Sequence, residues 1–204
     1  VYTCYMPSYF KVPVEISGSN TAFLEWVIAG DIVFYDEVFI YAGCEFNDVT
    51  IEGALIKYSN YGVEAEILGN ITNNGEILNN ASGSLTLNIH GDIDNQGIWQ
   101  AYYTDLEGSN DQTIICGPNS WFEGYSFRNN KSGGNIVAGS DIRLDDITAD
   151  FNYGAFDFSG GYDLYISDGY FSEVNLIGAT AKAMSSLVMT NGAYLHYADV
   201  TSFD

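Results

Sequence analysis

The sequence predicts an all-β fold, a right-handed parallel β-helix whose coils are about 22 residues long. The segment GNITNNGEI, which begins at Gly69, returns as GDIDNQGIW at Gly91, 22 residues later. Alternating apolar runs also begin at Ile142, Leu164 and Leu187, at spacings of 22 and 23 residues. Repeats of about 20–50 residues are typical of stacked architectures. Short strands bounded by Gly and Asn favour a β-solenoid over a helical one.

The first part of the chain fits this repeat poorly. Residues 1–27 contain Pro7 and Pro13, and the segment NTAFLEW after Ser19 is compatible with a short capped helix. Terminal repeats of solenoids are atypical, because an open end exposes core side chains and unpaired strand edges. We therefore expect a cap or junction over residues 1–27 and the parallel β-helix over residues 28–204.

Strand-like segments follow from residue 28 onward, at residues 31–34, 38–43 and 48–53. The clearest strand contains Leu85, Leu87 and Ile89, which alternate with polar residues, so that one face is predicted to be buried and the other solvated. Asn-Gly turns such as Asn191-Gly192 are also hairpin signals. An antiparallel sandwich is therefore the rival architecture, but a sandwich gives no reason for a constant repeat interval.

Matching turn residues predict a structural ladder between coils. In the 22-residue alignment, Asn73 falls on Asn95 and Gly75 falls on Gly97. Asn and Gly tolerate the backbone conformations that tight turns require. If the coils stack in register, the two Asn side chains are expected to hydrogen-bond along the stack.

Composition narrows the functional classes. The formal net charge is −21, while 47% of the residues are hydrophobic, which is too apolar for a disordered chain. Such a negative field disfavours nucleic acid and acidic polysaccharide partners. No apolar run approaches the ~20 residues of a membrane span, and a secretory signal is not recognised, so we expect a processed protein or an excised segment.

Three cysteines are too few for a dense disulfide framework. A bridge between Cys4 and Cys44 is one interpretation. The other is that Cys44 and Cys116, which lie among small and apolar neighbours, are buried as apolar side chains.

The segment from Asp105 onward contains DQTI at 111–114, FRNNKSGG at 127–134, GSDI at 139–142 and GYDLYI at 161–166, and the upstream GDIDNQGIW fits the same pattern. With these pieces the chain resembles the β-helical repeats of large secreted and cell-surface adhesin-like proteins of Bacteroidetes-type bacteria. The resemblance covers roughly residues 69–192, and its motifs are structural rather than catalytic. It implies an exported adhesin-like or surface-layer protein. The chain departs from the pattern in its 16 Tyr and 12 Phe residues.

Aromatic residues form the main candidate binding site. Trp99 is followed by Tyr102 and Tyr103, and Trp121 and Tyr125 come about one coil later. If Trp99 and Trp121 lie side by side on the surface, their rings form a row suited to stacking on sugar rings. The alternative is an aromatic stack in the core.

Carboxylates suggest two further sites. Asp141, Asp145, Asp146 and Asp150 surround Arg143, a composition that also suits a polysaccharide-cleaving site on a β-helix. A solvated acidic face explains the same residues. Asp92 and Asp94 are candidate Ca²⁺ ligands because turn carboxylates supply the oxygen atoms that Ca²⁺ prefers, although the spacing matches no known calcium loop.

We therefore expect a non-enzymatic structural or adhesive module of a secreted or cell-surface protein, without a cofactor other than Ca²⁺. Its expected partners are flanking domains or identical subunits, and glycans at the aromatic row. The alternatives are a carbohydrate-active β-helix enzyme and a subunit that self-assembles into a filament or surface layer. An enzyme would have a groove with converging carboxylates near Asp145, whereas a shaft would have scattered acids.

Overall fold

The computed structural model describes most of the chain from residue 22 to residue 167 and shorter pieces on either side. The described residues contain 28 β-strands and no helix. They are residues 2–3, 8–10, 13–17, 22–80, 82–145, 147–150, 156–158, 160–167, 170–172, 187–190 and 194–196.

The described strands form three parallel sheets, here called sheets A, B and C. The chain visits A, B and C in turn, and one such circuit is one coil. Sheet A consists of β1 (Tyr2–Thr3), β4 (Ala22–Leu24), β7 (Glu37–Ile40), β10 (Ala54–Lys57), β13 (Glu76–Leu78), β16 (Ile98–Gln100), β19 (Phe122–Glu123), β22 (Ile142–Asp145), β25 (Leu164–Ser167) and β27 (Leu187–Thr190). Sheet B consists of β2 (Ser8–Phe10), β5 (Val27–Ala29), β8 (Cys44–Phe46), β11 (Val63–Ile67), β14 (Leu85–Ile89), β17 (Tyr103–Leu106), β20 (Ser126–Asn129), β23 (Thr148–Asp150), β26 (Tyr170–Ser172) and β28 (Tyr194–His196). Sheet C consists of β3 (Val14–Ile16), β6 (Ile32–Phe34), β9 (Val49–Ile51), β12 (Ile71–Asn73), β15 (Ile93–Asn95), β18 (Gln112–Cys116), β21 (Ile136–Ala138) and β24 (Phe156–Asp157).

Each described strand pairs with the equivalent strand of a neighbouring coil, and the pairing is parallel. Ile71 of β12 pairs with Ile93 of β15, and Ile93 pairs with Ile114 of β18. Ile142, Leu164 and Leu187 likewise lie opposite one another in β22, β25 and β27. The predicted parallel β-helix is therefore confirmed and the antiparallel sandwich is wrong. The right-handed sense of the winding stays a prediction.

The short strands follow from the alternation of apolar and polar residues. In most three-residue strands the first and third side chains are buried and the second is partly exposed. Leu85, Leu87 and Ile89 are fully buried, as their alternation predicts. Burial of each such side chain contributes about 1.5–3 kcal/mol to stability. The interior is therefore a largely apolar column enclosed by the three sheets, with a few buried polar side chains such as Asn73 and Asn95.

The sheets continue through the predicted cap. Residues 2–3, 8–10 and 14–16 pair in parallel with β4, β5 and β6 respectively. The boundary expected at residue 27 does not interrupt these sheets. The short helix predicted within NTAFLEW is wrong, because Ala22–Leu24 is a strand that pairs with β7. Pairing with a neighbouring coil satisfies the same backbone groups that an isolated helix would have to satisfy alone.

Candidate functional site

The predicted Asn ladder is present in the core. Asn73 and Asn95 are paired in register and fully buried, and Asn73 Nδ2 donates to Asn95 Oδ1 at 2.9 Å. Asn73 Nδ2 also donates to the carbonyl oxygen of Ile98 at 2.9 Å, and Asn95 Nδ2 donates to that of Trp121 at 3.2 Å. The two amides thus connect adjacent coils and also hold the turns that lead into sheet A.

The ladder does not continue into the preceding coil, where an apolar residue takes the equivalent position. Asn73 lies opposite Ile51 of the preceding coil, which offers no side-chain donor. Asn73 Oδ1 accordingly accepts no hydrogen bond from any described residue. The amide ladder therefore starts at Asn73.

The two glycines of the ladder allow the turns of successive coils to touch. A Cβ atom at Gly97 would lie 2.0 Å from the carbonyl oxygen of Gly75, and one at Gly75 would lie 1.9 Å from that of Gly53. Such distances are far below van der Waals contact. Gly is required here because the backbones approach so closely.

Trp99 does not belong to a surface row. Its side chain is 0% exposed, and its indole Nε1 donates to Thr104 Oγ1 at 2.9 Å inside the core. It lies in an inward-facing line that runs along sheet A and includes Val38, Leu55, Ile77, Trp99 and Phe122. The exposed Trp99 predicted for glycan binding is therefore wrong, and the core stack is correct. The repeat indicated that Trp99 is buried, since the alignment that pairs Asn73 with Asn95 also pairs Trp99 with the apolar Ile77.

Trp121 is not the neighbour of Trp99. The residue opposite Trp99 is Phe122, whose ring centroid lies 5.2 Å from that of Trp99. The spacing between these coils is therefore 23 residues, one more than the spacing that the Trp99–Trp121 pairing assumed. Trp121 is partly exposed beside Phe122. The predicted row of two tryptophans is wrong because a one-residue change in spacing reverses the side-chain direction.

The three predicted tyrosines do come together on the surface. The rings of Tyr102 and Tyr125 are stacked, with centroids 4.9 Å apart and planes 6° apart. Tyr103 contacts both rings edge to face. The Arg128 guanidinium lies 3.9 Å from the centre of the Tyr103 ring and also forms a two-point ion pair with Asp105. Much of the ring surface in this cluster is thus occupied by neighbouring side chains.

A second group of tyrosines lies at the same corner of the solenoid, between sheets A and B. Tyr41 and Tyr58 follow the paired residues Ile40 and Lys57, and their ring centroids are 5.5 Å apart. Tyr58 also packs edge to face on Phe39 at 5.2 Å. These residues were not part of the predicted site. Tyr41 and Tyr58 directly follow strands of sheet A, and Tyr102 and Tyr125 lie two residues after such strands. The signal for this corner was therefore a tyrosine within two residues of the end of a sheet A strand.

These tyrosines line an open groove with a volume of about 770 Å³, here called the tyrosine groove. Tyr41, Tyr58 and Tyr61 are 42%, 53% and 82% exposed. Polar groups of Glu25, Asn60 and Asn80 also line it. The groove thus combines exposed aromatic faces with a few hydrogen-bonding groups, the general composition of small-molecule binding sites.

A buried lysine holds the groove together. Lys57 is fully buried, and its Nζ donates to the carbonyl oxygens of Ser59 and Ser82. Burial lowers the pKa of Lys57 below its ordinary value of 10.5. These carbonyls belong to the two loops that follow β10 and β13, so Lys57 connects neighbouring coils at the wall of the groove.

Acidic and amide side chains form a further row that the sequence analysis missed. Each residue of this row precedes a strand of sheet C, and its Oδ1 accepts a hydrogen bond from a backbone N–H one coil further along, at distances of 2.7–3.4 Å. The row consists of Asp31, Asp48, Asn70, Asp92 and Asp111. The repeated Gly-Asn and Gly-Asp dipeptides at residues 69–70 and 91–92 were the signal for it.

The two candidate calcium ligands are engaged in turn hydrogen bonds. Asp92 Oδ1 accepts the N–H of Thr113 at 2.7 Å, and Asp94 Oδ1 accepts from Gln96 Nε2 at 2.5 Å. Among the described residues, no group of three or more His, Cys, Asp or Glu side chains is placed to hold a metal ion. Calcium binding at Asp92 and Asp94 stays a prediction.

The acids around Arg143 are partly neutralised. The Arg143 guanidinium lies 3.1 Å from Asp141 Oδ2 and 4.9 Å from the centre of the Tyr165 ring. Asp141 Oδ1 accepts the N–H of Asp163 at 3.0 Å. Asp145 lies on the same strand as Arg143, whereas the side chains of Asp146 and Asp150 lie outside the described residues. Asp141 therefore connects two coils.

The cysteines of the described region are buried. Burial raises the pKa of the Cys116 thiol from 9.0 to about 11, and its Sγ lies 2.9 Å from the carbonyl oxygen of Ser120. Cys44 is also buried, 3.5 Å from the carbonyl oxygen of Ala42. Cys4 lies outside the described residues, so a Cys4–Cys44 bridge stays a prediction.

Comparison of the chain with models of protein families, with curated proteins and with solved structures found no match in any of the three. The resemblance to adhesin-like β-helical repeats therefore stays a prediction. The described residues include no helix with the length and apolar character that a membrane span requires.

Proposed function

We propose that this chain is a non-enzymatic structural module, a β-solenoid shaft of a secreted or cell-surface protein that also contacts glycans. The observation that supports this role is the continuity of the three parallel sheets along the described coils. Neighbouring coils are bonded through all three sheets from β1–β3 to β22–β24, and through sheets A and B in the described strands beyond. A force applied along the axis is therefore shared among many backbone hydrogen bonds. Flanking domains are the expected partners at the ends of a shaft, and identical subunits are the expected partners there under the filament or surface-layer alternative.

The exterior suits an extracellular shaft. With a net charge of −21, copies of the module repel one another, which keeps an extended protein dispersed. The same field disfavours binding to nucleic acid and to acidic polysaccharides. Adhesion is proposed at the tyrosine groove, at the corner between sheets A and B, instead of at Trp99.

Two measurements test this role. Antibodies against the chain should label intact cells of the organism that produces it, and the purified chain should release no product from a panel of neutral and acidic polysaccharides. Labelling only after the cells are permeabilised would contradict the surface location. Release of reducing ends or of unsaturated sugars would favour the carbohydrate-cleaving alternative.

A concentration series separates a single module from a self-assembling one. A shaft segment should elute from size-exclusion chromatography at the same volume at every concentration, because its acidic surface opposes self-association. A shift to larger species or visible filaments in electron micrographs would instead favour the filament or surface-layer alternative.

A further inference from the structure

The loops at the corner between sheets A and B differ in length, and the two longest are neighbours. Five residues (58–62) separate β10 from β11, and six residues (79–84) separate β13 from β14. The corresponding loops of other coils are short, with two residues at 25–26, 101–102 and 124–125. In repeat proteins, insertions that collect on one face often mark the binding face.

These long loops form one side of the tyrosine groove. Tyr61 and Asn60 lie on the first loop and Asn80 lies on the second, while Tyr41 and Tyr58 form the adjoining wall. Hydrogen bonds within the loops support their shape, since Tyr61 N–H donates to Ser59 Oγ at 3.1 Å and Asn79 Oδ1 accepts the N–H of Leu85 at 3.1 Å. Together with the Lys57 contacts, these bonds fix the groove before any ligand arrives, which reduces the entropy cost of binding.

The side chains that line the tyrosine groove determine which class of ligand can bind there. Exposed tyrosine rings offer flat apolar faces and hydroxyl groups, which suit the apolar ring faces and hydroxyls of a sugar. The amides of Asn60 and Asn80 both donate and accept hydrogen bonds, and the Glu25 carboxylate accepts them. The cation of the groove, Lys57, is fully buried and donates to two carbonyl oxygens, so it does not face a ligand. An anionic sugar would meet Glu25 and the net negative field of the chain.

We propose that the tyrosine groove is a binding site for an uncharged oligosaccharide. The sugar rings stack on Tyr58 and Tyr61, and their hydroxyls hydrogen-bond to Asn60, Asn80 and Glu25. This inference rests on the proposed extracellular role, because that role places the groove where glycans are present. It is separate from the cluster of Tyr102, Tyr103 and Tyr125, which lies on later coils and does not line the groove.

The test is a glycan array with the full chain, followed by calorimetric titration. The array carries neutral oligosaccharides (gluco-, xylo- and manno-hexaoses and host-type neutral glycans) and acidic ones such as oligogalacturonates. The chain should bind at least one neutral oligosaccharide in preference to the acidic ones. Tyr61→Ala should weaken that binding about tenfold, which is the effect of removing one main contact. Tyr61 is 82% exposed, so its replacement should leave the fold intact.

Controls separate the groove from other surfaces. Tyr35→Ala removes a ring that is 48% exposed but lies outside the groove, and it should leave the affinity unchanged. Tyr125→Ala tests the other tyrosine cluster at the same corner and should likewise have no effect. The proposal is overturned if no neutral oligosaccharide binds at millimolar concentration, if acidic ones bind better, or if Tyr61→Ala binds as well as the native chain. A negative array leaves the shaft role standing, because surface labelling and the polysaccharide assay test that role separately.

Discussion

Replacement of Asn95 by Ala tests whether the buried amide ladder stabilises the stack of coils. The change removes the hydrogen bond that Asn95 Oδ1 accepts from Asn73 and the one that Asn95 Nδ2 donates to Trp121. Each bond contributes about 0.5–1.5 kcal/mol, and a buried partner left unsatisfied costs about 1–3 kcal/mol. Asn73 Nδ2 keeps its bond to Ile98, which limits the loss. We therefore expect the free energy of unfolding to fall by about 2–4 kcal/mol.

Asn74→Ala is the matched control, because Asn74 lies next to the ladder residue Asn73 but is exposed, and its side chain donates to the exposed Glu52 carboxylate at 2.9 Å. Surface replacements of this kind change stability by about 0.5 kcal/mol or less. The same side chain is removed in both variants, so the difference between them isolates burial and the ladder contacts.

Urea unfolding followed by far-ultraviolet circular dichroism measures both variants. With a urea dependence of about 2–3 kcal/mol per molar, Asn95→Ala should lower the midpoint by about 1 M, while Asn74→Ala should leave it nearly unchanged. Tryptophan fluorescence provides a second probe, since repeat arrays can lose two-state behaviour. Equal midpoints for the two variants would refute the reasoning, because a buried ladder would then contribute no more than a surface amide.

Three further predictions concern the core and the turns. Gly97→Ala should lower the free energy of unfolding by about 1–3 kcal/mol or more, because the new Cβ would lie 2.0 Å from the Gly75 carbonyl oxygen. In the control variant Gly30→Ala, the new Cβ meets no atom within 4 Å, so this change should be tolerated. Thermal unfolding compares the two variants. Trp99→Ala should lower stability by about 3–5 kcal/mol, measured by urea unfolding, because it empties a fully buried site. Burial keeps the Cys116 thiol protonated in the folded chain up to about pH 11, whereas an unfolded thiol ionises near pH 9.0. As the pH rises, the unfolded state therefore loses its proton first. The contribution of this thiol to the free energy of unfolding is complete below pH 9 and falls by about 1.4 kcal/mol per pH unit between pH 9 and 11. A comparison of native chain and Cys116→Ala across that range isolates this contribution.

Specific results would contradict each of these expectations. Equal melting temperatures for Gly97→Ala and Gly30→Ala would show that the turns of successive coils are not in close contact. A Trp99→Ala variant as stable as the native chain would place the indole outside the core. Parallel pH profiles for the native chain and Cys116→Ala would show that the thiol ionises equally in both states.

The periodic parts of this structure were predictable from the sequence. Asn73 and Asn95 lie opposite each other as the 22-residue alignment required, and the alternation of Leu85, Leu87 and Ile89 correctly predicted their buried face. These predictions depend on local spacing, because equivalent positions in stacked coils are neighbours. The strand at Ala22–Leu24 was missed because its partner, β7, lies in the next coil and a single segment does not reveal it.

The candidate site was predicted less well. The spacing of 22 residues between Trp99 and Trp121 suggested a surface pair, but this coil contains one additional residue and Phe122 takes the position opposite Trp99. Tyr102, Tyr103 and Tyr125 were correctly expected to be close together. The tyrosine groove was not predicted, because its residues come from four coils and its walls come from loops whose lengths break the repeat.

The sequence by itself determined the solenoid, its period and the residues that stack on their counterparts, since in a coiled chain each repeat meets the next in the same chemical setting. Only the tertiary structure decided which face each aromatic residue occupies and where a groove opens. Side-chain direction alternates with every residue, so one inserted residue moves a ring from the surface to the core. Loop lengths at a corner become a surface shape only when neighbouring coils are packed side by side.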